Sequence, residues 1–217
     1  MKINSKSKLA VLLSKLKGFE TGKVSEKLEQ YQTDPEIAAG IVWNAALNNE
    51  ISGKVIVDLG CGTGILGIGA LVMGAKNVIF VDADGKAIET AKDNLDFIEK
   101  ELDADYSKKA VFIVEKVENL KAGRRADLVL QNPPFGVKVK HADRVFLEKA
   151  MEISPVIYSF HKVESRDFID EFSKDKNYRT THFWSFDFPL KMTMKHHKRR
   201  IHRIKVGCWR LEKLINK

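Results

Sequence analysis

Residues 55–67 read VIVDLGCGTGILG, a stretch that leaves a chain few ways to fold. Val55–Leu59 is short and almost continuously apolar, the pattern of a strand buried on both faces rather than one alternating between core and water. Gly60, Gly62 and Gly64 then let the backbone turn tightly, and Ile65 opens a helix whose free amides and positive dipole end face that turn. A strand covered on both faces requires parallel neighbours and helices above and below.

The rest of the chain supplies them in alternation. The helix from Ile65 to Met73 precedes the strand NVIFVD, and the helix from Gly85 to Leu102 precedes the strand AVFIVE. ADLVLQ is a fourth strand. A helix from Asp143 to Ile153, the strand VIYSF and a helix from Ser165 to Asp175 follow it. The pattern changes at the end, where TTHFWSFDF and IHRIKVGCWRL have no helix between them and are expected to pair antiparallel at the sheet's edge. The expected fold class is α/β: seven strands, mostly parallel, the last antiparallel, with helices on both faces.

Leu9, Leu12, Leu13, Leu16 and Phe19 fall on one helical face, so a short amphipathic helix is expected to cap the core. We expect residues 1–34 to form a helical extension and residues 35–217 one domain, since 44% hydrophobic content is enough for a single core. No apolar run approaches the ~18 residues that span a bilayer. Neither Cys61 nor Cys208 reads as part of a disulfide framework, so a soluble, cytoplasmic protein is expected.

The glycine loop admits two ligands. Gly62 to Gly67 satisfies G-x-G-x-x-G, and Asp82 ends the next strand 20 residues after Gly62, as in dinucleotide folds. Against that reading, the glycine run starts at Gly60 directly behind Asp58, whose carboxylate would repel a pyrophosphate and attract a cation. S-adenosylmethionine carries a sulfonium, an ammonium and a ribose whose hydroxyls Asp82 can accept. Taken alone, the loop leaves both open.

The second informative loop is Asn132-Pro133-Pro134-Phe135, which ends the fourth strand. Consecutive prolines remove two backbone donors and fix two φ angles, so a central strand cannot continue through them. An exocyclic base amine is a poor nucleophile because its lone pair is delocalised into the ring. Two acceptors aimed at its N–H bonds, the Asn132 side-chain oxygen and the Pro133 carbonyl, would favour a pyramidal nitrogen and aim its lone pair. Pro134 stiffens that carbonyl, and Phe135 offers a face for a base to stack on.

Charge is placed unevenly. Residues 189–217 carry ten Lys or Arg against the single acid Glu212, whereas the remaining residues sum to −1. A basic stripe on a balanced domain is the electrostatic footprint of a nucleic-acid partner. Lys195, His197, Lys198, Arg199 and Arg200 are its densest part and the candidate RNA contacts. His196, His197 and His202 have no cysteine or carboxylate beside them to complete a metal site, so no metal is expected.

DLGCGTG resembles the first motif of the class I S-adenosylmethionine-dependent methyltransferases, whose Rossmann-like fold has seven strands. With Asp82 and NPPF, the chain looks like the methyltransferases that act on amino groups. LEQYQTDPEIAA (Leu28–Ala39), NPPFG and YSFHK (Tyr158–Lys162) are similar to the small-subunit ribosomal RNA adenine N6-methyltransferases, the methyltransferase-like five family and its prokaryotic relatives.

That resemblance implies methyl transfer to adenine N6 in RNA, with cofactor contacts at Gln30, Thr33, Asp58, Gly60, Gly62, Thr63, Gly64, Ile65, Asp82 and Val117. It also implies catalysis by Asn132 to Phe135, and substrate contact by His161 and Lys162. Many relatives have Asp-Val where this chain has Lys116-Val117. Eukaryotic members pair with a small zinc-binding adaptor that extends the sheet, which makes an exposed edge strand the place for one here. A glutamine N5-methyltransferase acting on protein, an enzyme acting on guanine N2, and a non-catalytic RNA-binding module are the alternatives.

Overall fold

The computed structural model describes residues 3–19, 33–121, 126–134, 142–190 and 202–214. Its core is one seven-stranded sheet in the order β3-β2-β1-β4-β5-β7-β6. The strands are β1 (Val55–Leu59), β2 (Asn77–Asp82), β3 (Ala110–Val114), β4 (Leu128–Gln131), β5 (Val156–Lys162), β6 (Tyr178–Leu190) and β7 (His202–Lys213). Strands β1 to β5 pair in parallel, and β7 runs antiparallel to both of its neighbours, β5 and β6. The last strand therefore inserts inside the sheet, leaving β6 at the edge.

The helices are α1 (Lys6–Leu13), α2 (Pro35–Leu47), α3 (Ile65–Val72), α4 (Gly85–Leu102), α5 (Ala142–Ile153) and α6 (Arg166–Asp175). Helices α1 to α4 cover one face with Leu9, Leu13, Ile41, Ile68 and Ile98. The other face is packed by Leu147 and Ala150 of α5 and Ile169 and Phe172 of α6. No helix among the described residues is long and apolar enough to cross a membrane.

Local chemistry sets the helix starts. Asp84 caps α4 by accepting from the Lys86 amide at 2.9 Å. Helix α2, which precedes the strand–helix alternation read from the sequence, begins with Asp34 accepting from the Glu36 and Ile37 amides and with Pro35 in the first turn. Helix α3 differs, because its N-cap is Gly64 at φ +87°, with no side chain to offer. Asp58 supplies the missing acceptor from below the helix, its Oδ2 lying 2.8 Å from the Gly67 amide.

The N-terminal apolar face is only partly helical. Leu9, Leu12 and Leu13 are fully buried on α1, but the helix ends at Leu13 and Phe19 lies beyond it. Asn94 of α4 takes hold of the chain at Lys17, accepting from its amide at 2.8 Å and donating to its carbonyl at 3.0 Å.

Two features of the sheet position the site. Among the parallel strands, chain order runs outward from the centre in both directions, so the switch point falls between β1 and β4, where α/β sheets bind ligands beyond the carboxyl ends of their strands. Leu59 and Gln131 are register partners, so the glycine loop and the Asn132 loop leave the sheet side by side. The β6–β7 ladder also continues four pairs past the Lys162–Val206 level, from Asp187–Lys205 to Leu190–His202. At about 3.4 Å per residue that is an overhang of roughly 14 Å beyond the same edge.

Candidate active site

The glycine loop is strapped to the end of β2. The amides of Gly60 and Cys61 both donate to the Val81 carbonyl, at 2.8 and 2.9 Å. The Gly62 amide donates to Asp82 Oδ2 at 2.8 Å, while Asp82 Oδ1 accepts from the Asp84 amide at 2.9 Å. One carboxylate thus holds the loop and the start of α4 together, and each oxygen keeps a lone pair for a further donor.

Gly60 and Gly62 have φ of +69° and +52°, and aromatic rings press on both. A Cβ at Gly60 would lie 2.7 Å from the Phe146 ring, and one at Gly62 would lie 2.8 Å from the Phe19 ring. Asn94 secures the loop from behind, donating to the Thr63 carbonyl at 2.9 Å while it grips Lys17.

The acids beneath the loop are withdrawn from water, Asp58 fully and Asp82 in part. Asp58 is 1% exposed, and burial pushes its carboxyl up to about 7; the Gly67 bond opposes this and neighbouring Asp82 adds to it. Burial likewise raises the Asp82 carboxyl, against the pull of the Asp84 and Gly62 amides. Two acids at the foot of a glycine turn, Asp58 buried and Asp82 half-buried, fit a cationic ligand better than a pyrophosphate.

Across the switch point stands Asn132. Its Nδ2 donates to Thr33 Oγ1 at 2.9 Å, and its Oδ1 is buried with no hydrogen-bond partner among the described residues. A buried carbonyl oxygen left unpaired carries a desolvation cost of ~1–3 kcal/mol, which a donor from outside the protein would relieve. Pro133 is buried behind it and Pro134 is half-buried.

The sequence matches the methyltransferase small domain over residues 39–153, a stretch holding the glycine loop, Asp82 and Asn132 alike. The chain belongs to that family. This methyltransferase is 34% identical to the rRNA N(6)-adenosine-methyltransferase Mettl5 of Drosophila melanogaster over 94% of its own length and 95% of the fly protein's. It is 38% identical to an uncharacterized protein of Methanocaldococcus jannaschii over 96% of its length and 94% of that chain's. Among solved structures it superposes with a TM-score of 0.84 on a Pyrococcus horikoshii protein provisionally assigned as an RNA methyltransferase, at 40% identity, covering 98% and 100% of the two chains.

The methyltransferase uses S-adenosylmethionine, and the residues present suit it: a glycine-rich turn tied by its amides to the end of β2, with the acids Asp58 and Asp82 beside it for the cofactor's cationic groups and ribose. Thr63 and Ile65 are buried in the loop and at the start of α3. Val117 is 5% exposed in a 3₁₀ turn after β3, on the far side of β2 from the glycine loop's own strand. Glu115 beside it is held by the Asn119 side chain and the Lys116 amide, which pull its carboxyl below the usual range.

His161 does not face the edge. It is 2% exposed, lies 2.5 Å from Ser159 Oγ through Nε2, and meets the Trp209 ring edge-on. Gln131 Nε2 donates to the same Ser159 hydroxyl at 2.8 Å, so the hydroxyl proton is directed at the imidazole. Burial drives the His161 pKa down to about 3, which keeps the ring neutral. The expectation that His161 contacts substrate gives way to a buried polar chain behind β4 and β5. Lys162, one residue on, is half-buried at the strand's end.

Gln30, Phe135, Lys195, His197, Lys198, Arg199 and Arg200 lie outside the described residues. Asn94 and the rings of Phe19 and Phe146 are site residues that the motifs do not include. Asn94 had a detectable signal, since it follows Ala91 by three and precedes Ile98 by four on the buried face of α4, where the helical period calls for an apolar residue.

Proposed function

We propose that this methyltransferase modifies the N6 amine of an adenine in the ribosomal RNA of the small subunit. One observation carries the reading: the buried Oδ1 of Asn132, unpaired among the described residues and held at the carboxyl edge of the sheet beside the glycine loop. An acceptor in that state calls for a ligand N–H, and an amine offers two. Asn132 Oδ1 and the Pro133 carbonyl accept them, bias the nitrogen toward a tetrahedral shape and hold its lone pair in line. S-adenosylmethionine supplies the methyl group: the N–C bond forms as the C–S bond breaks, and the surplus amine proton passes to water.

The choice of RNA rests on charge and on relatives. The β6–β7 ribbon overhangs the edge carrying Asn132 as far as its Leu190–His202 pair, and in sequence those two residues flank the basic stretch 191–201. The fly, zebrafish and nematode relatives are named as rRNA N(6)-adenosine-methyltransferases. The decisive experiment supplies tritiated S-adenosylmethionine with rRNA, tRNA and protein fractions, then analyses nucleosides by mass spectrometry. N6-methyladenosine in small-subunit rRNA is expected. Label confined to protein would overturn the proposal in favour of a glutamine amide.

A zinc-binding adaptor that extends the sheet belongs to the same reading. Strand β3 pairs with β2 alone among the described residues, and its Val111 and Val114 are 42% and 57% exposed. An added strand would find free backbone groups and apolar side chains there. Charged replacement of Val111 and Val114 is expected to abolish co-purification of such a partner; retained co-purification would place it elsewhere.

A further inference from the structure

We infer that Trp184 and Phe186 of β6 form a stacking platform for unpaired nucleotides that flank the target adenine. The inference rests on the RNA substrate proposed above and adds to it a contact surface on the sheet itself, separate from the basic stretch.

The ladders place the rings. Register partners in an antiparallel pair present their side chains to one face, so three rows cross β5, β7 and β6 on the side that α1 to α4 cover: Tyr158–Arg210–His182, Phe160–Cys208–Trp184 and Lys162–Val206–Phe186. The last row lies at the carboxyl edge. Asn132 follows Gln131, the partner of Ser159, so it leaves β4 near the level of the middle row, and its bond to Thr33 at the start of α2 puts it on the same side. Three strand spacings separate β4 from β6, or roughly 14 Å.

Burial falls along these rows toward the edge strand. Tyr158, Phe160, Val206 and Cys208 are fully buried, whereas Trp184 and Phe186 are half-buried and His182 is exposed. The rings are nonetheless held. Trp184 stacks on Tyr158 at 5.8 Å and 18° and on His182 at 5.5 Å and 8°, and Phe186 leans on Phe160 at 6.3 Å. Side chains fixed in this way lose little freedom when a base settles on them.

Charge selects the occupant. Lys162 ends the same row as Phe186, and the chain leaving β6 carries the excess of Lys and Arg. Of the nearby acids, Glu50 is engaged by Arg210 and Tyr158, and Asp187 alternates onto the other face. Aromatic faces beside cations suit single-stranded nucleic acid, whose bases stack while the cations follow its backbone. A duplex keeps its base faces covered and cannot use such a platform. An adenine that leaves its stack to reach Asn132 also uncovers the faces of its neighbours.

The test compares Phe186→Leu, which keeps apolar bulk and removes the ring, with Phe186→Tyr, which keeps the ring. Binding of a labelled single-stranded oligoadenylate, and of its duplex with oligouridylate, is followed by fluorescence anisotropy across a range of salt. F186L is expected to weaken single-strand binding about tenfold at every salt concentration, with an unchanged log–log slope because a neutral ring releases no counterions. Duplex binding and calorimetric Kd for S-adenosylmethionine are expected to stay within twofold, and F186Y to match wild type throughout. In a second measurement, oligoadenylate is expected to quench tryptophan emission in the wild-type chain and not in Trp184→Phe, which keeps a ring and the affinity.

Single-strand affinity unchanged in F186L, or quenching that persists in W184F, would overturn the inference. Equal losses on strand and duplex would overturn it in favour of a general disturbance of the ribbon. A wild-type dimer that F186L dissolves would give this face to a second copy of the chain. Wild-type protein that binds neither strand nor duplex would instead remove the RNA reading itself, and that control separates its failure from the others.

Discussion

The carboxyl edge of the sheet has two halves, built by different means. Over β1 and β2 the edge is made by backbone: a glycine turn packed against the Phe19 and Phe146 rings, amides tied to Val81 and Asp82, and two acids beneath. Over β5, β7 and β6 it is made by side chains and by reach, with Lys162 at a strand end and a two-stranded ribbon extending past it toward a basic segment. The first half suits a small cation that must be held closely. The second suits a polyanion that is large, already charged, and needs counterion displacement more than a fitted pocket. Asn132 stands on the seam, bonded to Thr33 through Nδ2, with its buried Oδ1 unpaired among the described residues.

The comparison breaks most sharply at that seam. Asn132→Ala is expected to lower kcat by about 10²–10³-fold, as for loss of one preorganised transition-state contact, while Kd for S-adenosylmethionine changes little. Equal loss of cofactor binding in calorimetry would place Asn132 in the first half instead.

The acidic floor of the first half makes stability depend on pH. Burial holds the Asp58 carboxyl at about 7 against an ordinary 3.8. The folded state therefore binds the extra proton between those values, and stability falls as pH rises through that window and levels off above it. Asp58→Asn keeps an acceptor for the Gly67 amide and removes the titration. Its advantage over wild type in urea unfolding of the ligand-free protein is expected to grow by roughly 2–3 kcal/mol from pH 5 to pH 8. A constant difference would show that Asp58 is charged throughout.

Next in size is the packing under α3. A Cβ on Gly67 would overlap the Phe80 ring and come within 3.0 Å of Asp58 Oδ2. Gly67→Ala is expected to cost about 1–3 kcal/mol, read as a lowered Tm, because a well-packed core cannot yield that space without strain. An unchanged Tm would mean that α3 moves freely over the sheet.

The smallest effect sharpens the second half. Replacing Lys198, Arg199 and Arg200 by Ala is expected to weaken rRNA binding about tenfold at moderate salt and to reduce the log–log salt slope by about 2, at roughly 0.7 per lost phosphate contact. Turnover at saturating RNA should hold. An unaltered slope would make the basic segment a solvated surface with no part in binding.

Much of this was legible from residues alone. The strand ends, the glycine loop and Asp82 depend on local rules, namely β-branched apolar runs, left-handed turns and a helix dipole, and the structure has them where the sequence puts them. Helix α2 lay outside that reading: Asp34 as cap and Pro35 in the first turn mark its start, but its apolar residues crowd most of its circumference and blur the period. His161 shows the opposite case. Next to a strand end it looks available, and only the packing of Trp209 and the Ser159 hydroxyl turn it inward.

What the amino-acid order determined by itself was the set of parts: a parallel α/β sheet, a glycine turn for a cationic ligand, and an Asn-Pro-Pro loop, each written within a dozen residues. Tertiary structure decided how the parts meet: β7 entering between β5 and β6, Asn94 clamping Lys17 to the glycine loop, Phe19 and Phe146 closing on two glycines, and Thr33 taking one end of Asn132. The reason is range. Dihedral preference and hydrophobic period act over one or two turns of chain, whereas a hydrogen bond between residues 99 positions apart exists only once the whole core has brought them together.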